Sequence, residues 1–320
     1  MTMTTARTAR RLLTGGAIGL YGLNLVSAYK EWRVAKPPVT LQKYMMLRSL
    51  PMHTMSTISG YVSELPVPLF VRPFLYSSFA RLYKVNMNEC DKPLQEYPTF
   101  QSFFTRALKD GARPLSKVNI VSPCDGTVLA SGEIDSDSIK IGSVKGINVD
   151  LITLLGNTEA ERLLTRQRNR SWFSWFPWAT NAHLYYAIVY LAPGDYHRFH
   201  SPCDLRHVKL SPTDGMKLPV NPGFLKFIPE TLQLNSRLCI TGCMPDGNYM
   251  AIVPVGALNV SSIDCFLDLK DGNHDAKVRK GDQLGQFRMG STVVIVFSSF
   301  KEMRIAAASD RVKQGESLFI

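Results

Sequence analysis

Apolar positions along this chain change their spacing near Pro114. From Leu41 to about Lys109 they recur at helical intervals, with breaks at Pro51, Pro66, Pro68 and Pro73. Phe70, Phe74, Phe79, Leu82 and Tyr83 form a stripe on one predicted helix, which either packs into a core or lies on a membrane surface. Thr99 ahead of residues 100–106 predicts the cap of another helix, ending at Gly111 before Pro114. Beyond Pro114 come short β-branched runs at 120–121, 127–130, 185–191, 249–255 and 293–297, separated by Gly, Pro, Asp and Asn. Helices followed by strands predict an α+β fold, with a helical part at 41–113 and a strand-rich mixed part at 114–320.

The start of the chain has its own pattern. Residues 12–28 carry no charge and lie between Arg7, Arg10, Arg11 and the charged residues Lys30, Glu31 and Arg33. A bilayer-spanning helix needs roughly 17–25 apolar residues, so the segment is just long enough. A cleaved secretory signal is the alternative, but charged residues rather than a small-x-small site follow Ala28. The Arg-rich, hydroxylated, acid-poor leader matches a mitochondrial presequence. The expected organisation is a basic targeting arm at 1–11, a transmembrane anchor at 12–28, a linker at 29–40 and a catalytic domain at 41–320.

A formal net charge of +11 favours an acidic partner. The chain has neither Cys/His finger spacing nor an aromatic nucleic-acid-binding strand, so anionic lipid is expected and nucleic acid is not. Arg162, Arg166, Arg168 and Arg170 precede Trp172, Trp175 and Trp178. That combination suits an interfacial loop and equally a tryptophan-lined packing loop. Six cysteines are too few for a disulfide scaffold, and Cys239-x-x-x-Cys243 lacks partners at zinc spacing, so no metal site is expected.

Three segments carry candidate chemistry. Gly290-Ser291 stands just before the apolar run 293–297, a placement suited to self-cleavage because the serine hydroxyl neighbours the glycine carbonyl. His197 and His200 follow the predicted strand at 185–191 and can share a cleft, where a histidine can take a proton from a serine. Such a pair can also ligate zinc, but a third ligand is missing. Asp125, in the turn Ser122-Pro123-Cys124-Asp125-Gly126, either bonds its own backbone or stabilises an imidazolium. In the second case Asp125, His200 and Ser291 form a triad.

Ser-Pro-Cys-Asp-Gly at 122–126, Asp-Tyr-His-Arg-Phe-His at 195–200 and Met-Gly-Ser-Thr at 289–292 together resemble the phosphatidylserine decarboxylases. Phe103-Phe104-Thr105-Arg106, Gly111-Ala112-Arg113-Pro114, Val255-Gly256-Ala257 with Asn259-Val260, and Lys280-Gly281-Asp282 agree, so the resemblance spans roughly residues 55–320. It implies self-cleavage at Gly290–Ser291 into chains 1–290 and 291–320, which stay associated. His200, oriented by Asp125, would take the Ser291 proton; Oγ would attack the Gly290 carbonyl to form an ester; elimination of the Gly290 carboxylate would leave dehydroalanine, which water would hydrolyse to a pyruvoyl group with loss of ammonia. That group is the implied cofactor: it would form a Schiff base with phosphatidylserine and yield phosphatidylethanolamine and carbon dioxide. By the same resemblance His197 would position the carboxylate or return the proton. The leader resembles the mitochondrial branch, implying a single-pass inner-membrane protein whose catalytic domain faces the intermembrane space.

Two features depart from the family pattern: Met289 replaces Leu, and Asn235-Ser236-Arg237 replaces Asn-Glu-Arg. Rival functions are a membrane-anchored serine hydrolase using the same triad and a non-catalytic lipid-binding protein.

Overall fold

The computed structural model describes residues 26–34, 37–134, 140–144, 147–156, 183–257, 263–267, 276–288, 290–303 and 311–319. The targeting arm, residues 12–25 of the expected anchor, and the Arg162–Trp178 segment lie outside them. Among the described residues no helix is long and apolar enough to cross a membrane.

The chain divides into two compact units at Pro51. In the first, residues 26–34 are helical and α1 (Leu41–Ser49) follows. Thr40 caps α1 by accepting from Lys43 N, and the Glu31 carboxylate accepts from Arg48 Nε (3.1 Å) and Tyr44 Oη (3.3 Å).

The second unit begins with α2 (Met52–Glu64) and α3 (Arg72–Tyr83). Pro73 sits in the first turn of α3, where no helical N–H partner is required, and Lys84 closes the helix in the left-handed region at φ 56°. The stripe at Phe70, Phe74, Phe79, Leu82 and Tyr83 is mostly not core: Phe70, Phe74 and Leu82 are 85%, 74% and 72% exposed. α3 instead buries Tyr76 and Ala80, with Tyr76 stacked on Phe103 at 4.7 Å. Helical spacing locates a stripe but not the neighbour it meets. Thr99 does cap a helix, exchanging hydrogen bonds with Ser102, but α4 (Phe100–Phe104) stops well short of Gly111. The chain after it turns extended, because Ala107 O accepts from Asp91 N and Lys109 N donates to Glu89 O.

The largest sheet beyond the helices is seven-stranded and antiparallel, in the order β12-β1-β4-β11-β8-β7-β6. Its members are β1 (Gly126–Ile134), β4 (His183–Leu191), β6 (Arg206–Thr213), β7 (Arg237–Cys243), β8 (Tyr249–Val255), β11 (Ser291–Ser299) and β12 (Arg311–Val312). β11 runs between β4 and β8 and all nine of its residues are buried. Val293, Ile295 and Phe297 enter one core, Val294 and Val296 the other. A strand covered on both faces needs a continuous apolar run, which is what 293–297 supplies. The runs at 127–130, 185–191 and 249–255 lie in β1, β4 and β8; Val121 of the 120–121 run forms only an isolated bridge to Ser317. β6 and β7 were not expected, since Pro212 and the short polar residues of β7 hide their period.

A smaller sheet positions the site: β5 (Arg198–His200) and β9 (Ile263–Cys265) flank β10 (Gln283–Phe287). β2 (Lys140–Val144) and β3 (Ile147–Asp150) form a separate ribbon.

Candidate active site

Ser291 opens β11 opposite Leu191 of β4. It is fully buried, and its hydroxyl has no hydrogen-bond partner; the Thr292 hydroxyl is in the same condition. Leaving a buried hydroxyl unpaired costs about 1–3 kcal/mol, so two in succession mark a place where stability has yielded to something else. The residue before them, Gly290, lines a pocket of about 280 Å³ walled by Phe79, Tyr83, Phe100, Phe104, Tyr190 and Val220. The expected scissile bond therefore joins an apolar pocket to the sheet core.

β4 leads into the turn that carries the histidines. The Asp195 carboxylate closes this turn by accepting from Ala192 N at 2.8 Å, and it pairs with Arg311 on β12. Gly194 packs against the Tyr83 carbonyl so closely that a Cβ would collide with it. His197 comes next, with its own carbonyl accepting from Phe287 N at 2.9 Å, which ties the histidine segment to the strand leading toward Ser291.

The two imidazoles have different surroundings. His197 is fully buried with its ring 4.1 Å from that of Phe104. Its Nδ1–H donates to Asp195 O at 2.8 Å, while Nε2 has no partner. Burial pushes its pKa down to about 3, outweighing the carbonyl acceptor, and the nearby Arg106 cation pushes the same way. His200 donates from Nδ1 to Gly281 O at 2.9 Å, and Tyr196 Oη donates to its Nε2 at 3.0 Å. Burial also lowers the His200 pKa; Gly281 O and the Asp125 charge act in the opposite direction. Gly281 makes its contact from a left-handed conformation, φ 87°, that other residues rarely adopt.

Asp125 accepts from Arg113 Nε at 2.8 Å and Nη2 at 2.5 Å, and from Gln314 N at 2.9 Å. The hydrogen bond expected to orient His200 from Asp125 is made instead by the Gly281 carbonyl, and Asp125 influences His200 through space. His197 and His200 do belong to one segment joined by β10 to the approach to Ser291.

Tyr196, Gly281, Arg113 and Arg106, which bond to His200, Asp125 and the Asp195 carbonyl, are residues that side-chain chemistry alone did not single out. All four fall within the motifs that carried the resemblance, which is the signal that could have found them. Asn235 and Arg237 have a different task. Asn235 bonds both backbone groups of Leu218 and the Gly256 carbonyl, while Arg237 donates to four backbone carbonyls. Ser236, in the position where the family has Glu, satisfies its hydroxyl on Gly215 N and O. None of the six cysteines is in a disulfide, and no metal-holding cluster of His, Cys, Asp or Glu occurs among the described residues.

Residues 100–320 match the family described as phosphatidylserine decarboxylase. The mitochondrial phosphatidylserine decarboxylase proenzyme of Caenorhabditis elegans is 32% identical, the alignment covering 96% of this chain and 81% of that protein. The mitochondrial proenzyme 1 of Oryza sativa subsp. japonica is 32% identical over 80% of this chain and 70% of its own. For the mitochondrial proenzyme of Rattus norvegicus the identity is 30%, over 96% of this chain and 83% of the relative. With the match extending from α4 through the histidine turn to Ser291 and the C-terminal residues, this chain belongs to the phosphatidylserine decarboxylase family.

Proposed function

We propose that this chain decarboxylates phosphatidylserine to phosphatidylethanolamine and carbon dioxide, using a pyruvoyl group that it makes from its own Ser291. The observation that carries this is the buried, unpartnered Ser291 hydroxyl directly after Gly290 at the wall of an apolar pocket. Most buried hydroxyls have a partner; Ser291, which lacks one, stands directly after a carbonyl that it can attack.

In this account Ser291 Oγ attacks the Gly290 carbonyl and His200 takes the hydroxyl proton. Asp125 favours the resulting imidazolium through space. Tyr196 must release His200 Nε2 for that transfer, since its hydroxyl occupies the nitrogen. Cleavage then separates 1–290 from 291–320. The chains stay together because β11 is hydrogen-bonded on both sides within the sheet. The group left at residue 291 supplies an electron-accepting carbonyl for the charge that remains when carbon dioxide departs. His197 has a neutral ring with a bare Nε2, so this nitrogen first accepts a proton, for example from the substrate ammonium, and only then can hold the substrate carboxylate or return the proton to the product.

The substrate stays in a bilayer, and the exposed faces of α2, α3 and the segment joining them suit one. Ile58, Tyr61, Val62, Phe70, Phe74 and Leu82 all face solvent. Together with the net charge of +11 this supports docking on an anionic lipid surface. The mitochondrial relatives and the leader support placement in the mitochondrial inner membrane through a single span at 12–28, the catalytic domain facing the intermembrane space.

Purified protein supplied with phosphatidylserine vesicles should release carbon dioxide and phosphatidylethanolamine in equal amounts, and hydroxylamine should stop it. Turnover untouched by hydroxylamine, or release of fatty acid instead, would reject the proposal in favour of ester hydrolysis.

A further inference from the structure

Three arginines hold the turn that carries His197. Arg311 pairs with the Asp195 carboxylate, and Arg198 Nε donates to Thr105 O at 3.0 Å. From the opposite side, Arg106 Nη2 donates to Gly194 O at 2.8 Å and Asp195 O at 3.3 Å. That Asp195 oxygen is the one that accepts from His197 Nδ1–H. A single carbonyl therefore holds a guanidinium N–H and the imidazole N–H together.

Arg106 is only 4% exposed, and it forms no salt bridge with a carboxylate among the described residues. The neighbouring acids are engaged elsewhere, Asp125 by Arg113 and Asp195 by Arg311. Burying a cation without a counter-charge is unfavourable. Arg237 shows how this chain treats a buried arginine used as scaffold: its Nε and both terminal nitrogens all bond to carbonyls. Arg106 leaves Nε and Nη1 without an oxygen or nitrogen partner, its polar side-chain neighbour being the Cys90 thiol, and rests its guanidinium 5.7 Å from the Phe103 ring centroid. Scaffolding alone does not account for that arrangement.

We propose that Arg106 is the positioning residue for His197, locking its ring in the Nδ1–H tautomer through the shared Asp195 carbonyl so that Nε2 is the only ring nitrogen free to accept a proton. The carbonyl is pinned by the guanidinium and cannot swing to meet the other face of the ring. The Phe104 ring at 4.1 Å blocks a flip from the pocket side. A second proton on the ring is opposed by burial and by the Arg106 charge, while the Asp195 carboxylate is turned to Ala192 N and Arg311. The inference rests on the proposed role of His197 in turnover.

Nitrogen-15 NMR of histidine-labelled, self-cleaved wild type tests the tautomer without any substitution. Protonated Nδ1 and bare Nε2 on His197 are expected near neutral pH; an Nε2–H ring overturns the proposal, whatever the variants do. Arg106→Met and Arg106→Lys then test the consequence, with cleavage at 290/291 by mass spectrometry as the check on folding. Cleaved Arg106→Met should lose at least about tenfold in kcat with KM little changed, part of the roughly 10²–10⁴-fold that a general acid–base group contributes, and Arg106→Lys should recover some of it. Arg106→Met turning over like wild type, or losing kcat with the His197 tautomer intact, overturns the role. His197→Ala with full turnover would instead remove the role of His197 itself, a result separable from any behaviour of Arg106.

Discussion

Arg113 grips Asp125 with two N–H groups, Nε at 2.8 Å and Nη2 at 2.5 Å, and the same Nη2 lies 2.8 Å from Glu89. Lys313 adds a second cation to Glu89, and Gln314 N donates to Asp125 Oδ1. Asp125 therefore joins the end of the helical part to residues that would follow the cleavage site. Replacing Arg113 by Met strands the buried Asp125 carboxylate, while the half-buried Glu89 keeps Lys313. In a Ser291→Ala background, urea unfolding should show a loss of about 3–5 kcal/mol. A loss under 1 kcal/mol would mean that the pair is not what holds Asp125.

Tyr196 Oη is the donor that occupies His200 Nε2. Tyr196→Phe removes a competitor for that nitrogen while leaving His200 held by Gly281 O. Self-cleavage, followed as the time course of the 291–320 fragment, should proceed at least as fast as in wild type. Stability should fall by about 0.5–1.5 kcal/mol because Nε2 of the half-buried ring loses its partner. Cleavage slowed more than tenfold would make the Tyr196 hydroxyl a participant in proton transfer.

The neutral histidines make stability depend on pH. His197 is pushed down to about 3 and His200 is lowered as well, mainly by burial, whereas the unfolded chain takes up these protons near 6.5. Between 6.5 and the lowered values the unfolded state binds more protons, so stability rises with pH through that window and is lost as pH falls. The slope reaches at most about 1.4 kcal/mol per pH unit for each histidine. Urea midpoints of Ser291→Ala should fall from pH 6.5 to pH 5, where carboxylates remain ionised. The fall should shrink in His197→Gln. Midpoints flat across this range would contradict neutral, buried rings.

Phe70, Phe74 and Leu82 are exposed, so changing all three to Ser should leave the fold intact. Inserting each side chain into a bilayer contributes up to about 1.5–3 kcal/mol. Cosedimentation with phosphatidylserine vesicles should drop at least tenfold, and activity on vesicles with it. Unchanged cosedimentation would remove these side chains from the lipid contact.

How much the sequence discloses depends on whether a pattern is local. The run 293–297 and the strands at 185–191 and 249–255 declare themselves because their apolar residues are contiguous. The Thr99 cap is equally local, needing only Ser102 three residues on. The α3 stripe misleads because periodicity reports amphipathicity and not the phase that covers it. The site divides the same way. Asp125, His197, His200 and Ser291 carry chemistry in their side chains, and they stand out only when the three segments are taken together. Gly281 on His200 and Arg106 on the Asp195 carbonyl act across separations of 81 and 89 residues through backbone atoms, which no local pattern encodes.

Intact-mass spectrometry of the purified wild type beside Ser291→Ala tests the central claim most directly. The account predicts a wild-type fragment beginning at position 291 with the mass of a pyruvoyl rather than a serine terminus, and a single uncut chain in the variant. A folded wild-type protein that stays whole would contradict self-processing at Gly290–Ser291.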